Sequence, residues 1–198
     1  MANFIGIDLG TTFSAVGHID ETGRPVIVRN KHGENITPSV VSFTSDNSVH
    51  VGEPARKTLG IDSNTFGRFK RDMGSSVSYT AFDKQYTPTV LSSLVLKKLK
   101  DETEAAIGPI DGAIVTIPAN FANEAREATM EAAKLAGLDV KFIINEPTAA
   151  ALSYAYESEE ELGGVYAVYD LGGGTFDVSI INLSGQDVEL LATDGVSR

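Results

Sequence analysis

Short β-rich apolar runs open the chain. Residues 4–9, 13–19 and 25–29 are separated by polar, glycine-bearing turns and read as a β-meander. Runs at 39–43 and 49–52 predict two more short strands, and the spacing turns helical over 53–59 and 64–72. Thr87-Pro88 opens a helix expected to run to residue 106, with Leu91, Leu94, Leu96 and Leu99 on its apolar face and Gly108-Pro109 as its stop. A strand over 113–117 ends at Pro118. A helix over 123–136 follows, with Asn123 as N-cap and Gly137 as C-cap. Residues 140–144 predict a strand, 147–156 a helix with Pro147 in its first turn, and 165–192 three strands of a second meander. Strands joined by crossover helices predict an α/β fold whose mixed sheet is covered by helices.

Residues 39–87 interrupt this alternation with shorter, more polar elements and read as a small inserted subdomain. The second meander has no helix behind it and cannot bury both faces alone. It is expected to begin a larger unit, with Gly195-Val196-Ser197-Arg198 resembling a cut point. Its uncovered strands over 165–192 are expected to pair with another chain.

One unit occurs twice. Asp8-Leu9-Gly10-Thr11-Thr12-Phe13 follows the apolar run Phe4-Ile5-Gly6-Ile7. Asp170-Leu171-Gly172-Gly173-Gly174-Thr175-Phe176-Asp177 follows Val165-Tyr166-Ala167-Val168-Tyr169. Each copy is strand, aspartate, glycine turn, strand. A glycine turn presents backbone N–H groups with no side chain in the way, which suits phosphate oxygens. An aspartate beside it can hold hydrated Mg²⁺ against those oxygens. A single Asp-Gly turn is as readily a plain hairpin; the pair predicts two jaws around one polyphosphate, with Asp8 and Asp170 at strand ends. The spacing of Asp177 can return its carboxylate to the same mouth.

Other candidates have two readings. Glu146, between a strand and a helix first turn, either complements the helix dipole or orients an attacking water. Lys70-Arg71 is either a surface basic pair, or Lys70 reaches a γ-phosphate while Arg71 pairs with Asp72 or closes the cleft. The segment 52–58 lacks the glycine and spacing of a P-loop, and His18, His32 and His50 have no metal-ligand spacing.

Composition narrows the class. The 198 residues are 42% hydrophobic and 22% charged, ordinary for a soluble globular protein of one large or two small domains. No apolar run approaches the roughly 20 residues of a membrane span. No signal peptide or disulfide framework is visible, so a cytoplasmic location is expected. A net charge of −11 argues against a nucleic-acid surface but leaves a local nucleotide site open. The acidic run at 157–161 reads as a solvated loop.

Together these residues resemble the nucleotide-binding domain of the seventy-kilodalton heat-shock chaperones (DnaK-type), within the actin and sugar-kinase superfamily. The matching segments are Ile5-Gly6-Ile7-Asp8-Leu9-Gly10-Thr11-Thr12, Lys70-Arg71, Val115-Thr116-Ile117-Pro118-Ala119, Ala136-Gly137-Leu138, 143–151 and 169–179, in family order over nearly the whole chain. The resemblance implies an actin-like ATPase (ribonuclease-H-like) fold. Residues 1–38 and 88–162 would form the core subdomain of lobe I, 39–87 its inserted subdomain, and 163–198 the start of lobe II. It implies that Gly10, Thr11, Thr12 and Phe13 form one phosphate loop and Gly172, Gly173, Gly174 and Thr175 the other. Asp8 and Asp170 would hold Mg²⁺ mostly through waters, and Asp8, Asp170 and Asp177 would border K⁺ sites. Lys70 would contact the γ-phosphate of ATP, Glu146 position the water, and Pro118 with Arg126 report nucleotide state to a peptide-binding domain. Unfolded peptides, a J-domain cochaperone and a nucleotide exchange factor are the implied partners of the intact protein.

The resemblance has rivals and gaps. An actin-like filament subunit and a sugar or acetate kinase share the fold and the phosphate loops. Phe13 stands where many members have tyrosine, and Phe142 where DnaK-type proteins usually have arginine. The family domain continues for about as many residues again, within ordinary domain sizes. That continuation carries the adenosine-binding residues, so a chain of this length is expected to bind nucleotide weakly.

Overall fold

The computed structural model describes residues 3–158, 163–173, 175–185 and 187–197. Gly174 and Arg198, and all but the first two residues of the acidic run at 157–161, lie outside the described residues.

Strands β1 (Phe4–Asp8), β2 (Phe13–Ile19) and β3 (Pro25–Ile27) form the expected meander, and β4 (Thr37–Pro38) pairs with β2. β5 (Val40–Phe43), β6 (Val49–Val51) and a four-residue helix α1 (Glu53–Arg56) follow. Two expectations fail here. The helix expected over 53–59 stops at Arg56, because the Thr58 hydroxyl donates to the Ala55 carbonyl and the chain turns away. The helix expected over 64–72 is instead a strand, β7 (Thr65–Gly67), and a 3-10 turn over Phe69–Asp72. Pairing of β7 with β5 overrides the helical spacing, and Arg68, at φ 61, breaks the two elements apart. A hairpin of β8 (Tyr79–Ala81) and β9 (Lys84–Tyr86) was not foreseen. Its turn residues Phe82 and Asp83 both have positive φ, and Phe82 hides the usual turn signal.

The strand–helix alternation follows. α2 (Pro88–Ile107) has Thr87 as its N-cap, the side chain accepting from the Val90 N–H at 3.2 Å. β10 (Gly112–Ile117), α3 (Asn123–Leu135), β11 (Val140–Asn145) and α4 (Glu146–Glu157) complete the first layer. The N-cap of α3 is Ala122, with no side-chain cap, rather than Asn123. Gly137 does end the helix, at φ 71. The main sheet runs β11-β10-β1-β2-β3, with β1, β10 and β11 parallel and β1–β2–β3 antiparallel. Helices α2 and α3 pack on each other. The large buried cluster joins Ile5 and Ile7 of β1, Val115 of β10 and Leu91, Val95 and Leu96 of α2 to Val41, Phe69 and Met73 of the 39–87 segment.

The last three strands, β12 (Gly163–Leu171), β13 (Thr175–Ser184) and β14 (Asp187–Ser197), form their own antiparallel sheet, as expected. Its inner face, Ile181 and Leu183 with Tyr166 and Val168, packs against Ala151 of α4. Helix α4 therefore spans both sheets: its first residue follows the main sheet and its middle carries the second.

Candidate active site

The pleat of β1 decides where Asp8 points. Ile5 and Ile7 face the core at 2% and 0% exposure, so Gly6 and Asp8 face the opposite side. Asp8 lies level with Thr116 of β10, whose hydroxyl donates to Asp8 Oδ1 at 3.2 Å. Thr116 is level with Ile144 of β11, and two residues further on Glu146 opens α4. Three parallel strands thus deliver Asp8, Thr116 and Glu146 to their carboxyl ends, where ligands of α/β sheets bind.

On the second sheet, Asp170 and Asp177 are cross-strand partners. Asp170 lies on the same face as Tyr166 and Val168, and Asp177 on the same face as Ser179, Ile181 and Leu183. A cleft of about 880 Å³ is lined by Asp8, Gly10, Thr11, Thr12, Phe13, Thr116 and Lys70 from the first layer. Glu146, Pro147 and Ala150 of α4, with Asp170, Gly172 and Gly173, form the other wall. The two glycine turns therefore share one cavity. They also touch: a β-carbon on Gly173 would lie 2.0 Å from Thr12 Oγ1, and a β-carbon on Gly10 would lie 2.0 Å from the Phe13 carbonyl oxygen. Glycine is required at both places.

Lys70 is 5% exposed and donates to Glu146 Oε1 at 2.6 Å. This excludes the surface-pair reading for Lys70. Burial pushes the Glu146 carboxyl above the usual carboxylate range; Lys70 opposes the rise, and Asp8 and Asp170 add to it. Asp8 and Asp170 thus both act on Glu146 through space. Asp177 is 8% exposed and accepts from Asn120 Nδ2 at 3.1 Å. Burial raises its carboxyl as well; Asp170 adds to the rise and Lys70 opposes it. With Thr11, Lys70 and Pro118, Asp177 lines a second cavity of about 240 Å³ rather than the main cleft.

Thr12 Oγ1 is buried in the cleft wall with no hydrogen-bond partner. Such an atom is costly unless a ligand or water satisfies it. Among the described residues no three His, Cys, Asp or Glu side chains are grouped to hold a metal ion directly. Pro118 ends β10, and its carbonyl accepts from the Phe121 N–H at 3.2 Å. Arg126 Nη2 donates to Asn145 Oδ1 at 3.1 Å, one residue before Glu146. Phe13 carries the Arg56 guanidinium over its ring at 4.9 Å, and Phe142 is 67% exposed on the sheet-edge strand β11.

Three neighbours of the site escaped the sequence reading. Thr116 was open to discovery, since the register of two parallel strands puts it beside Asp8. Asn120 had no local signal. Gly195 was read only as part of a chain end; a β-carbon there would meet Asp177 Oδ1 at 1.9 Å, so its bareness seats that carboxylate.

Two glycine turns share one cleft, the first at the end of β1 in the mixed sheet and the second at the end of β12 in the antiparallel sheet, and the mixed layers are those of the actin-like ATPase fold. The family model described as Hsp70 protein matches residues 4–82 and 75–198. Over 192 residues the chain is 46% identical to Chaperone protein DnaK of Mycoplasma mobile, an alignment covering 96% of this chain and 31% of that protein. The chain belongs to the Hsp70 family, and is of the DnaK-type nucleotide-binding domain. It spans about a third of the length of the curated relative it matches.

Proposed function

We propose that this chain forms the phosphate-binding part of a chaperone ATPase, in which ATP hydrolysis sets how tightly a separate domain holds unfolded peptide. The observation that carries the reading is the buried Lys70–Glu146 pair at the floor of a cleft walled by both glycine turns. Backbone N–H groups of Gly10, Thr11, Thr12 and Phe13 bind phosphate oxygens from one side, and the turn at Gly172, Gly173, Gly174 and Thr175 from the other. The buried, unpartnered Thr12 hydroxyl fits a phosphate oxygen as its missing partner.

Asp8 and Asp170 suit Mg²⁺ through intervening waters, since carboxylates are hard oxygen donors and Mg²⁺ dehydrates reluctantly. Bound there, the ion would neutralise phosphate charge. Asp8, Asp170 and Asp177 are also the acidic set for K⁺. Lys70 donates to the γ-phosphate and holds Glu146 in place. Glu146 accepts from the attacking water and fixes its direction, so that positioning and charge neutralisation carry the transfer. Residues 1–38 and 88–162 serve as the core of lobe I, 39–87 as its insertion and 163–198 as the opening of lobe II. Kinship to DnaK supports a cytoplasmic setting and, for the intact protein, client peptides, a J-domain cochaperone and an exchange factor.

The test is single-turnover ATP hydrolysis by the intact protein. Lys70→Ala and Glu146→Ala should lower the hydrolysis rate far more than ATP affinity. Equal loss of both would remove the two residues from the reaction.

A further inference from the structure

Ser39 sits behind the first glycine turn, on the side away from the cleft, and is 2% exposed. Its hydroxyl donates to the Gly10 carbonyl at 2.7 Å. Its backbone N–H donates to the Thr12 carbonyl at 2.9 Å. One residue therefore ties both ends of the Gly10–Thr12 turn from behind. The Ser14 hydroxyl, 1% exposed, lies 2.9 Å from that of Ser39 and closes the buried side. Pairing of β4 with β2, Thr37 to Ser14 and Pro38 to Phe13, delivers Ser39 to this spot.

We infer that Ser39 is a positioning residue for polyphosphate binding. A peptide unit presents its C=O and N–H in opposite directions. Holding the Gly10 and Thr12 carbonyls at the back leaves the following N–H groups of Thr11 and Phe13 directed to the cleft side. The turn is then pre-organised for anionic oxygens before ligand arrives, which spares the ordering cost of binding. Without the Ser39 hydroxyl, the Gly10 carbonyl loses its buried donor, and the turn regains freedom to rotate its peptide planes. Ser39 touches no phosphate itself. This rests on the phosphate-binding reading of the turn proposed above.

The experiment compares dissociation constants of Mg·ATP and of adenosine for the intact protein, by calorimetry. Ser39→Ala should weaken Mg·ATP roughly tenfold and leave adenosine within about twofold, because only the phosphates meet the turn. Ser39→Cys keeps the volume with a weak donor and should shift the same ratio less; it serves if the alanine variant does not fold. Ser14→Ala removes a buried hydroxyl but keeps both bonds to the turn, and should leave the ratio unchanged. Equal weakening of both ligands by the Ser39 variants, or an unchanged ratio, would overturn the inference. Failure of wild type to bind Mg·ATP more tightly than adenosine would instead overturn the phosphate-binding reading.

Discussion

Gly173 lies so close to Thr12 that a β-carbon on it would come within 2.0 Å of the threonine Oγ1. The two turns belong to different sheets and meet across the cleft. A single methyl group is enough to push them apart. Gly173→Ala should reduce Mg·ATP affinity of the intact protein at least tenfold, about 1.4 kcal/mol. The urea midpoint should move little, since Gly173 is exposed and packs in neither core cluster. Titration with a fluorescent ATP analogue, alongside urea melts, checks both halves.

Lys70 and Glu146 offer a second test. Both side chains are largely shielded from solvent, at 6% and 17% exposure, so deleting one partner strands the other in a poor medium. Lys70→Ala should destabilise the fold by roughly 3 kcal/mol, and Lys70→Ala with Glu146→Ala by less than the two single changes added. Denaturant melts of all four proteins form the cycle.

The raised Glu146 carboxyl adds a pH dependence with a definite sign. Burial is the main cause; Lys70 opposes it, and the charges of Asp8 and Asp170 reinforce it. Between the ordinary glutamate value, about 4.3, and the raised one, the folded state binds more protons than the unfolded chain. The stabilisation is therefore complete below the unfolded value and is lost as pH rises through the folded one. Glu146→Gln cannot ionise and lacks this loss. Urea melts from pH 4 upward should show wild type losing ground against Glu146→Gln as pH rises through that window. A difference that is flat with pH would contradict the assignment.

Tyr79, which does not line the cleft, gives an alkaline counterpart. Its hydroxyl donates to Asp72 Oδ2 at 2.5 Å. Burial first, then that bond and the Asp72 charge, push the phenol well above its ordinary range. Ionising it would set two negative charges together. The folded state thus keeps the proton that the unfolded chain releases above about pH 10. Stability from this group is present below that pH and is lost as pH rises further. Tyr79→Phe should be less stable than wild type by about 1–2 kcal/mol at pH 8, with the gap closing as pH passes 10. Urea midpoints across pH 8 to 11 decide it.

The strand–helix alternation from residue 88 onward was legible because each element is long and its period clear: Leu91, Leu96 and Leu99 mark α2 as surely in the fold as in the sequence. The repeated Asp-Gly unit likewise disclosed both walls of the cleft. Between residues 53 and 86 the reading failed, because three-residue strands carry too little pattern to outweigh local helical spacing. For β7, pairing with β5 decided the matter, and no short window contains its partner. Lys70 illustrates the same limit. Its sequence neighbours look like a surface basic pair, and only a fold that brings it to Glu146, 76 positions away, buries it. Asn120 and Gly195 were hidden for the same reason, each defined by its contact with Asp177.

A path of contacts connects Pro118 to the reacting end of the site. The Phe121 N–H donates to the Pro118 carbonyl, and the Phe121 carbonyl accepts from Arg126 Nε at 3.4 Å. Arg126 Nη2 reaches Asn145, the residue before Glu146, and the Phe121 ring lies 5.7 Å from Lys70 Nζ. A shift of Glu146 on loss of the γ-phosphate would therefore be felt at Asn145 and at the Arg126 guanidinium. Contiguity alone does not establish coupling; a double-mutant cycle does. The readout is the ratio of peptide-stimulated to basal ATP turnover in the intact protein. Arg126→Ala and Asn145→Ala should each lower that ratio. Combined, they should lower it by less than the product of the single effects, with a coupling energy of roughly 0.5–2 kcal/mol. Fully multiplicative effects would mean that the 3.1 Å contact between them transmits nothing.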